Sequence, residues 1–181
     1  MFVRTQRLTL RPGWPEDAPA LARAIDHEAV VRNLSRAPWP YSIEAAETFL
    51  RHWTETRFLV LEHQVGSVAL IGCIGIEAVG EEAHELGYWF TPSAWGKGYA
   101  TEAARGVLAA ARAAGIRRVT SRHAVDNPAS GRVLRKLGFQ PTGRVAPVWS
   151  KGRGGEMTCL GFELDLDAED ARPTPEPRLA A

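Results

Sequence analysis

Two glycines flank a lysine at Gly96-Lys97-Gly98, between a β-rich run that stops at Pro92 and an apolar-periodic run from Tyr99. Glycine has no Cβ and tolerates left-handed φ, so such a turn brings backbone close to a ligand. The free N–H groups of the following first helical turn converge on one spot, where the helix dipole favours an anion. That is the chemistry of a pyrophosphate cradle, with Lys97 either adding charge or simply solvated. A strand–helix connection that binds nothing has the same glycines, so the turn alone does not decide. Two nucleotide motifs fit poorly. Gly98, not Ser or Thr, follows Gly-Lys, unlike a nucleoside-triphosphate loop. Thr101 stands where the third glycine of a dinucleotide fingerprint belongs.

The elements around this turn follow from periodicity and punctuation. Arg7–Pro12 alternates apolar and polar and predicts a half-buried strand, and a helical pattern from Glu16 carries Leu21 and Ile25 on one face. Pro38 and Pro40 make Ala37–Tyr41 a loop. Ser42 is suited to cap a helix carrying Ala46, Phe49, Leu50 and Trp53. Arg57–Glu62, Ser67–Ile76 and Ala83–Thr91 read as an antiparallel meander with a tight turn near Gly66. A helix from about Gly98 to Ala114 is stopped by Gly115, and Arg117–Val125 reads as a strand. Asn127 at the cap, Pro128 at the first position and Gly138 past the end define another helix. Phe139–Val148 and Glu156–Leu166 read as closing strands. The fold expected is a single α/β (α+β) domain over residues 1–167 with a mixed sheet. Residues 168–181 are polar and proline-rich, which predicts a disordered tail.

The 181 residues fit one core, with 45% hydrophobic and 24% charged residues. A net charge of +1 points to neither nucleic acid nor an anionic membrane as main partner. The start lacks a basic stretch followed by an apolar run, so no secretory signal is expected, and the Val68–Ile76 stretch is far short of the roughly 20 residues that span a bilayer. Cys73 and Cys159 each lie inside an apolar run and read as buried thiols in a reducing compartment, most simply the cytoplasm.

The run Trp95-Gly-Lys-Gly-Tyr-Ala-Thr-Glu-Ala103 resembles the acyl-CoA-binding motif of the GNAT N-acetyltransferase superfamily. Asn127-x-x-Ser130, followed by Lys136-Leu-Gly-Phe139, resembles its second signature. Thr5-x-Arg7-Leu-x-Leu-Arg-Pro12 resembles the branch of ribosomal-protein N-terminal (RimJ/RimL-type) acetyltransferases. The resemblance spans about Thr5 to Leu166, with the segments in the family's order.

This resemblance implies a mixed, mostly antiparallel sheet flanked by helices, with coenzyme held where the Glu85–Thr91 and Arg117–Val125 strands splay apart. Acetyl-CoA is the implied cosubstrate, with no metal. Its pantetheine arm would pair with backbone near Phe90 and Thr91. Its pyrophosphate would lie on the N–H groups of Gly96, Lys97, Gly98, Tyr99, Ala100 and Thr101. Asn127 and Ser130 would approach the pantetheine, and Arg132 or Lys136 the adenosine phosphates. Asn127 caps a helix in either case, and Arg132 and Lys136 are otherwise surface charges. Glu85 is the implied base, directly or through water, unless it only serves a cross-strand pair. The implied oxyanion donor is the Phe90 N–H. Leu134 stands where many relatives carry a proton-donating tyrosine, which leaves Ser130 as the substitute acid.

For the acceptor, Trp39, Tyr41 and Trp149 are candidates to line an entrance, though single tryptophans commonly only pack. Lys151–Gly155 reads as a flexible basic turn, a solvated hairpin tip or a lure for an acidic partner. The function expected is transfer of an acetyl group to an amine, first a protein α-amino terminus. A small-molecule amine is the alternative acceptor, and a non-catalytic acyl-CoA-binding module the alternative class. A terminal strand or exposed helix leaves room for a homodimer.

Overall fold

The computed structural model describes residues 1–64, 66–80 and 83–167. The expected tail at 168–181 lies outside the described residues. Thirteen labels cover the elements used below: β1 (Val3–Arg4), β2 (Leu8–Arg11), α1 (Ala18–Ile25), α2 (Glu28–Val31), α3 (Ile43–Arg51), β3 (Arg57–Gln64), β4 (Ser67–Val79), β5 (Ala83–Phe90), α4 (Tyr99–Ala113), β6 (Arg118–Ala124), α5 (Pro128–Lys136), β7 (Gln140–Ser150) and β8 (Gly155–Asp165). The short helix α2 was not anticipated, since four residues are too few for a periodic signal.

The strands form one sheet in the order β1-β2-β3-β4-β5-β6-β8-β7. Every neighbouring pair is antiparallel except β5 and β6, which α4 joins as a parallel crossover. Alternation along each strand divides the apolar residues between two faces. On one face Leu8, Leu10, Phe58, Val60, Ile74 and Leu86 pack with Val107 and Leu108 of α4 and Leu134 of α5. On the other, Leu59 and Cys73 pack with Tyr41 and with Leu21, Ile25, Val31, Ala46 and Leu50 of the first three helices. Both cysteines are free and buried, as the sequence predicts. Burial pushes the Cys73 thiol up to about 12.

Two joints matter for the site. The parallel β5/β6 pairing covers only His84↔Val119 and Glu85↔Thr120. Beyond it a side chain takes over, Ser121 donating from Oγ to the Leu86 carbonyl at 2.9 Å, and the strands part. The α5 helix approaches β6 through Gly131, where a Cβ would lie 2.5 Å from His123 Nε2.

Candidate active site

The glycine turn forms as its composition predicts. Gly96 and Gly98 have φ of +75° and +82°, and Gly98 is the N-cap of α4. The first intrahelical bond runs from Glu102 N–H to the Gly98 carbonyl at 3.0 Å. The N–H groups of Tyr99, Ala100 and Thr101 precede it and therefore lack a helical acceptor. A Cβ on Gly98 would have a single neighbour, the Arg7 guanidinium at 3.6 Å, so the backbone there faces open space. These features fit a pyrophosphate.

The turn is held from outside. Arg7 donates from NH1 to the Lys97 carbonyl at 3.0 Å and from Nε to Glu102 at 2.8 Å. Glu102 also accepts from the Thr5 hydroxyl at 2.6 Å and the Arg7 N–H at 2.8 Å. The opening Thr5-x-Arg7 motif thus braces the acyl-CoA motif. Trp95 adds a second brace, donating from Nε1 to the Phe90 carbonyl at 2.7 Å.

Strand β5 presents its backbone unevenly. Thr91 N–H donates to the Ile71 carbonyl at 2.8 Å, so residues of odd number bond toward β4. In an antiparallel ladder the intervening residues turn their N–H and C=O the other way. Tyr88 and Phe90 therefore face the gap beside β6. Thr91 spends its N–H on Ile71, and its carbonyl accepts from Ala94 N–H at 2.9 Å. Phe90 lies five residues from Glu85, about 16 Å along a strand, with its N–H turned to the gap. Tyr88 N–H, three residues away, faces the same gap at about 10 Å.

Glu85 is the last β5 residue paired with β6, and its carboxylate lies 3.2 Å from Arg122 Nε. Directly across β4 stands Glu77, bonded to Arg57, whose guanidinium lies 4.7 Å from the Phe49 ring. Opposed carboxylates repel, and the two arginines offset this. His84 points to the other face. Glu77, Arg57 and Arg122 were not anticipated, since only the strand register brings them together.

These residues line a cleft of about 740 Å³. Its floor includes Glu77, Glu85, Gly87, Tyr88 and Trp89, and its walls come from α1, α3 and the 34–38 loop. Tyr41 lines it, its side chain buried and its hydroxyl pushed up to about 12 by that burial. Trp39 and Trp149 are exposed, and Trp39 adjoins Pro38 of the cleft wall.

The Lys151–Gly155 turn is also not the free tip expected. Lys151 N–H donates to the Ser35 carbonyl at 3.1 Å, and the fully buried Ser150 donates from Oγ to the Leu34 carbonyl at 2.8 Å. Arg153 pairs with both oxygens of Asp126, at 2.9 and 2.8 Å, and Arg32 pairs with the same carboxylate at 3.2 Å. The turn is strapped to the cleft wall, with Lys151 reaching the cleft.

On α5, Asn127 accepts from Ser130 N–H at 3.3 Å, as an N-cap should. Ser130 Oγ lies 2.8 Å from the Tyr88 hydroxyl, a contact the sequence did not disclose. Leu134 is fully buried, so no proton donor occupies the usual tyrosine position. Arg132 and Lys136 are exposed one helical turn apart.

Residues 7–140 match the family described as an acetyltransferase (GNAT) domain. The chain belongs to the GNAT acetyltransferase family. A curated relative, the uncharacterized N-acetyltransferase YoaA of Bacillus subtilis (strain 168), is 32% identical over 151 residues, covering 78% of this chain and 84% of its own. Among solved structures, a GNAT-family acetyltransferase from Bacillus anthracis superposes with a TM-score of 0.79 at 22% identity, covering 92% of this chain and 99% of its own. RimL, a ribosomal L7/L12 α-N-protein acetyltransferase solved with coenzyme A, gives a TM-score of 0.75 at 21% identity, covering 93% and 99%. The expected fold and enzyme class hold, and GNAT enzymes use acetyl-CoA. This GNAT chain has no helix among its described residues long and apolar enough to cross a membrane.

Proposed function

We propose that this GNAT enzyme transfers acetyl from acetyl-CoA to a primary amine by direct attack, with a protein α-amino terminus as acceptor. The observation that carries the reading is the double exposure of β5. Its edge faces the gap beside β6, and its residues Glu85, Gly87, Tyr88 and Trp89 floor the cleft. Donor and acceptor would meet across that strand.

The N–H groups from Gly96 to Thr101 would hold the pyrophosphate, and Phe90 N–H would pair with the pantetheine arm. Asn127, Arg132 and Lys136 complete the coenzyme contacts on the α5 side. Acetyl-CoA supplies the thioester whose carbonyl the amine attacks. Glu85 takes the amine proton, directly or through water, and Tyr88 N–H replaces Phe90 as donor to the oxyanion. An α-amino group, with a pKa near 8, needs far less help than a lysine near 10.4. The α-N-protein activity printed for RimL and the Thr5–Pro12 motif support the same acceptor.

The test begins with calorimetric titration of acetyl-CoA into wild type and Gly98→Asp, which puts a side chain and a negative charge into the cradle. Micromolar binding that the variant abolishes is expected. Mass spectrometry on peptides with free N-termini and on small amines then identifies the acceptor. Acetylation confined to small amines would replace the peptide reading, and no binding by folded wild type would sink the coenzyme site.

A further inference from the structure

Gly87 lies in the middle of β5, where a glycine packs nothing and weakens the strand. Elsewhere among the described residues a glycine has a structural cause, either a φ between +63° and +92° or a heavy atom within 3.1 Å of where a Cβ would sit. Only Gly155, where the β7–β8 turn enters β8, shares with Gly87 the lack of both. At Gly87 a Cβ would meet nothing within 4 Å. Neither backbone nor packing asks for glycine here, and the space left by its missing side chain belongs to the cleft. Directly across the β4/β5 ladder stands Gly75, so the floor is bare between the Glu77–Glu85 pair and the Cys73–Trp89 pair. The two ends of this depression differ. At one, Glu85 and Glu77 are held by Arg122 and Arg57. At the other, Trp89 packs with the cluster of Leu21, Ile25 and Tyr41. The polar lining residues Arg36, Glu44, His52 and Lys151 are exposed and mark the mouth.

We propose that Gly87 determines which acceptors this enzyme takes: its bare backbone seats the side chain of the acceptor's first residue. The amine sits at Glu85, the side chain runs over Gly87 toward Trp89, and the rest of the peptide leaves by the polar mouth. Gly87 is two residues from Glu85, about 7 Å along the strand. An amine within about 3 Å of the Glu85 carboxylate puts its own carbon, and that carbon's substituent, inside this span. The closed end is apolar, so it favours an apolar substituent over water. This rests on the α-amino reading above and narrows it. Peptides whose first residue bears an apolar side chain are preferred to glycine-first peptides, which leave the seat empty.

The test compares peptides identical but for a first residue of glycine, alanine or leucine, with wild type, Gly87→Ala and Gly87→Val, thiol release giving kcat/KM. Wild type is expected to favour the leucine peptide over the glycine peptide roughly tenfold or more. In Gly87→Ala the leucine peptide should lose roughly ten- to a hundredfold and the glycine peptide less than about threefold, because the added methyl fills the space the acceptor's side chain needs. Gly87→Val should extend the loss to the alanine peptide. The acetyl-CoA Kd should stay within about twofold. The Tm should be unchanged or slightly higher, since alanine in open space loses less chain entropy on folding than glycine. Equal losses for all the peptides, or no loss for any, would overturn the seat. So would a lowered Tm or a Gly87→Ala chain that does not fold, either of which would show a packing cause for the glycine. In each of those cases a wild type that acetylates peptides leaves the α-amino reading standing. Wild type acetylating no peptide would overturn that reading, and the seat with it.

Discussion

Arg7 and Glu102 form a two-point clasp, guanidinium to carboxylate at 2.7 and 2.8 Å, across the base of the glycine turn. Glu102 lies in the first turn of α4, the helix end that would receive a pyrophosphate. Unpaired, its charge would oppose a phosphate there, and Arg7 cancels it while tying down the Lys97 carbonyl. Arg7→Ala is expected to weaken acetyl-CoA binding roughly five- to tenfold, as a charge-assisted pair at a half-exposed position would. Calorimetry checks it, and an unchanged Kd would remove Arg7 from the cradle.

The same clasp has a pH signature. Burial alone would raise the Glu102 carboxyl, but the Thr5 hydroxyl, the Arg7 N–H and the Arg7 guanidinium outweigh it and hold it below the ordinary value of 4.5. A folded-state pKa below the unfolded one means stability that is present above pH 4.5 and lost as pH falls through the folded value. Glu102→Gln should therefore destabilise the protein at pH 7, with the deficit shrinking below pH 4.5. Urea unfolding at the two ends of that range measures it. A deficit independent of pH would show that the charge of Glu102 is not what matters.

Glu85 faces a sharper test. Its place at the last β5/β6 pair sets it beside the gap, and its pairing with Arg122 holds the carboxylate near the cleft floor. Glu85→Gln should lower kcat by 10²–10⁴-fold, the range of general-base contributions, while acetyl-CoA binding is kept. Raising the pH should recover part of the loss, since a larger fraction of the amine is then neutral. A rate unaffected by the change would leave Glu85 as the partner of Arg122 and nothing more.

Most of the fold was legible because its signals are local. Asn127, Pro128 and Gly138 delimit α5 almost to the residue, and Gly96 and Gly98 mark the turn by the φ they require. What escaped depends on register or long-range docking. Glu77 faces Glu85 only through the β4/β5 ladder, and Tyr88 reaches Ser130 only because β6 splays away and α5 fills in. The Lys151–Gly155 turn has the composition of a solvated tip, yet its contacts come from distant residues, Ser35 and Asp126, that no window on the turn contains.

The strap from the β7–β8 turn should bear on the acceptor and much less on the coenzyme. Arg153 binds Asp126 with two bonds, reaches the Arg32 carbonyl at 2.5 Å, and lies beside the wall that includes Leu34 and Ser35. Arg153→Ala is expected to raise the acceptor KM roughly three- to tenfold, with the acetyl-CoA Kd within about twofold, because the wall loses its anchor while the α4 turn is untouched. Hydrogen exchange should quicken in the 32–36 segment. Equal losses for both substrates would mean a general loosening of the domain and would refute a role specific to the cleft.

Gly131 gives the most direct test of how α5 is seated. His123 Nδ1 pairs with the Ala124 carbonyl at 2.8 Å, so it carries the proton, and the buried Nε2 has no hydrogen-bond partner among the described residues. That nitrogen lies under Gly131, where a new Cβ would meet it at 2.5 Å and Cε1 at 3.0 Å. The ring is fixed by Phe162, 5.4 Å away between centroids, and cannot easily give way. Gly131→Ala should gain slightly in helix propensity but lose about 1–3 kcal/mol to overpacking, which for a chain of this size lowers the Tm by roughly 3–10 °C. The helix must also shift outward, carrying Ser130 away from Tyr88. Calorimetric unfolding measures the first effect and kcat the second. A variant as stable and as active as wild type would show that α5 is not seated against His123 as closely as the structure has it.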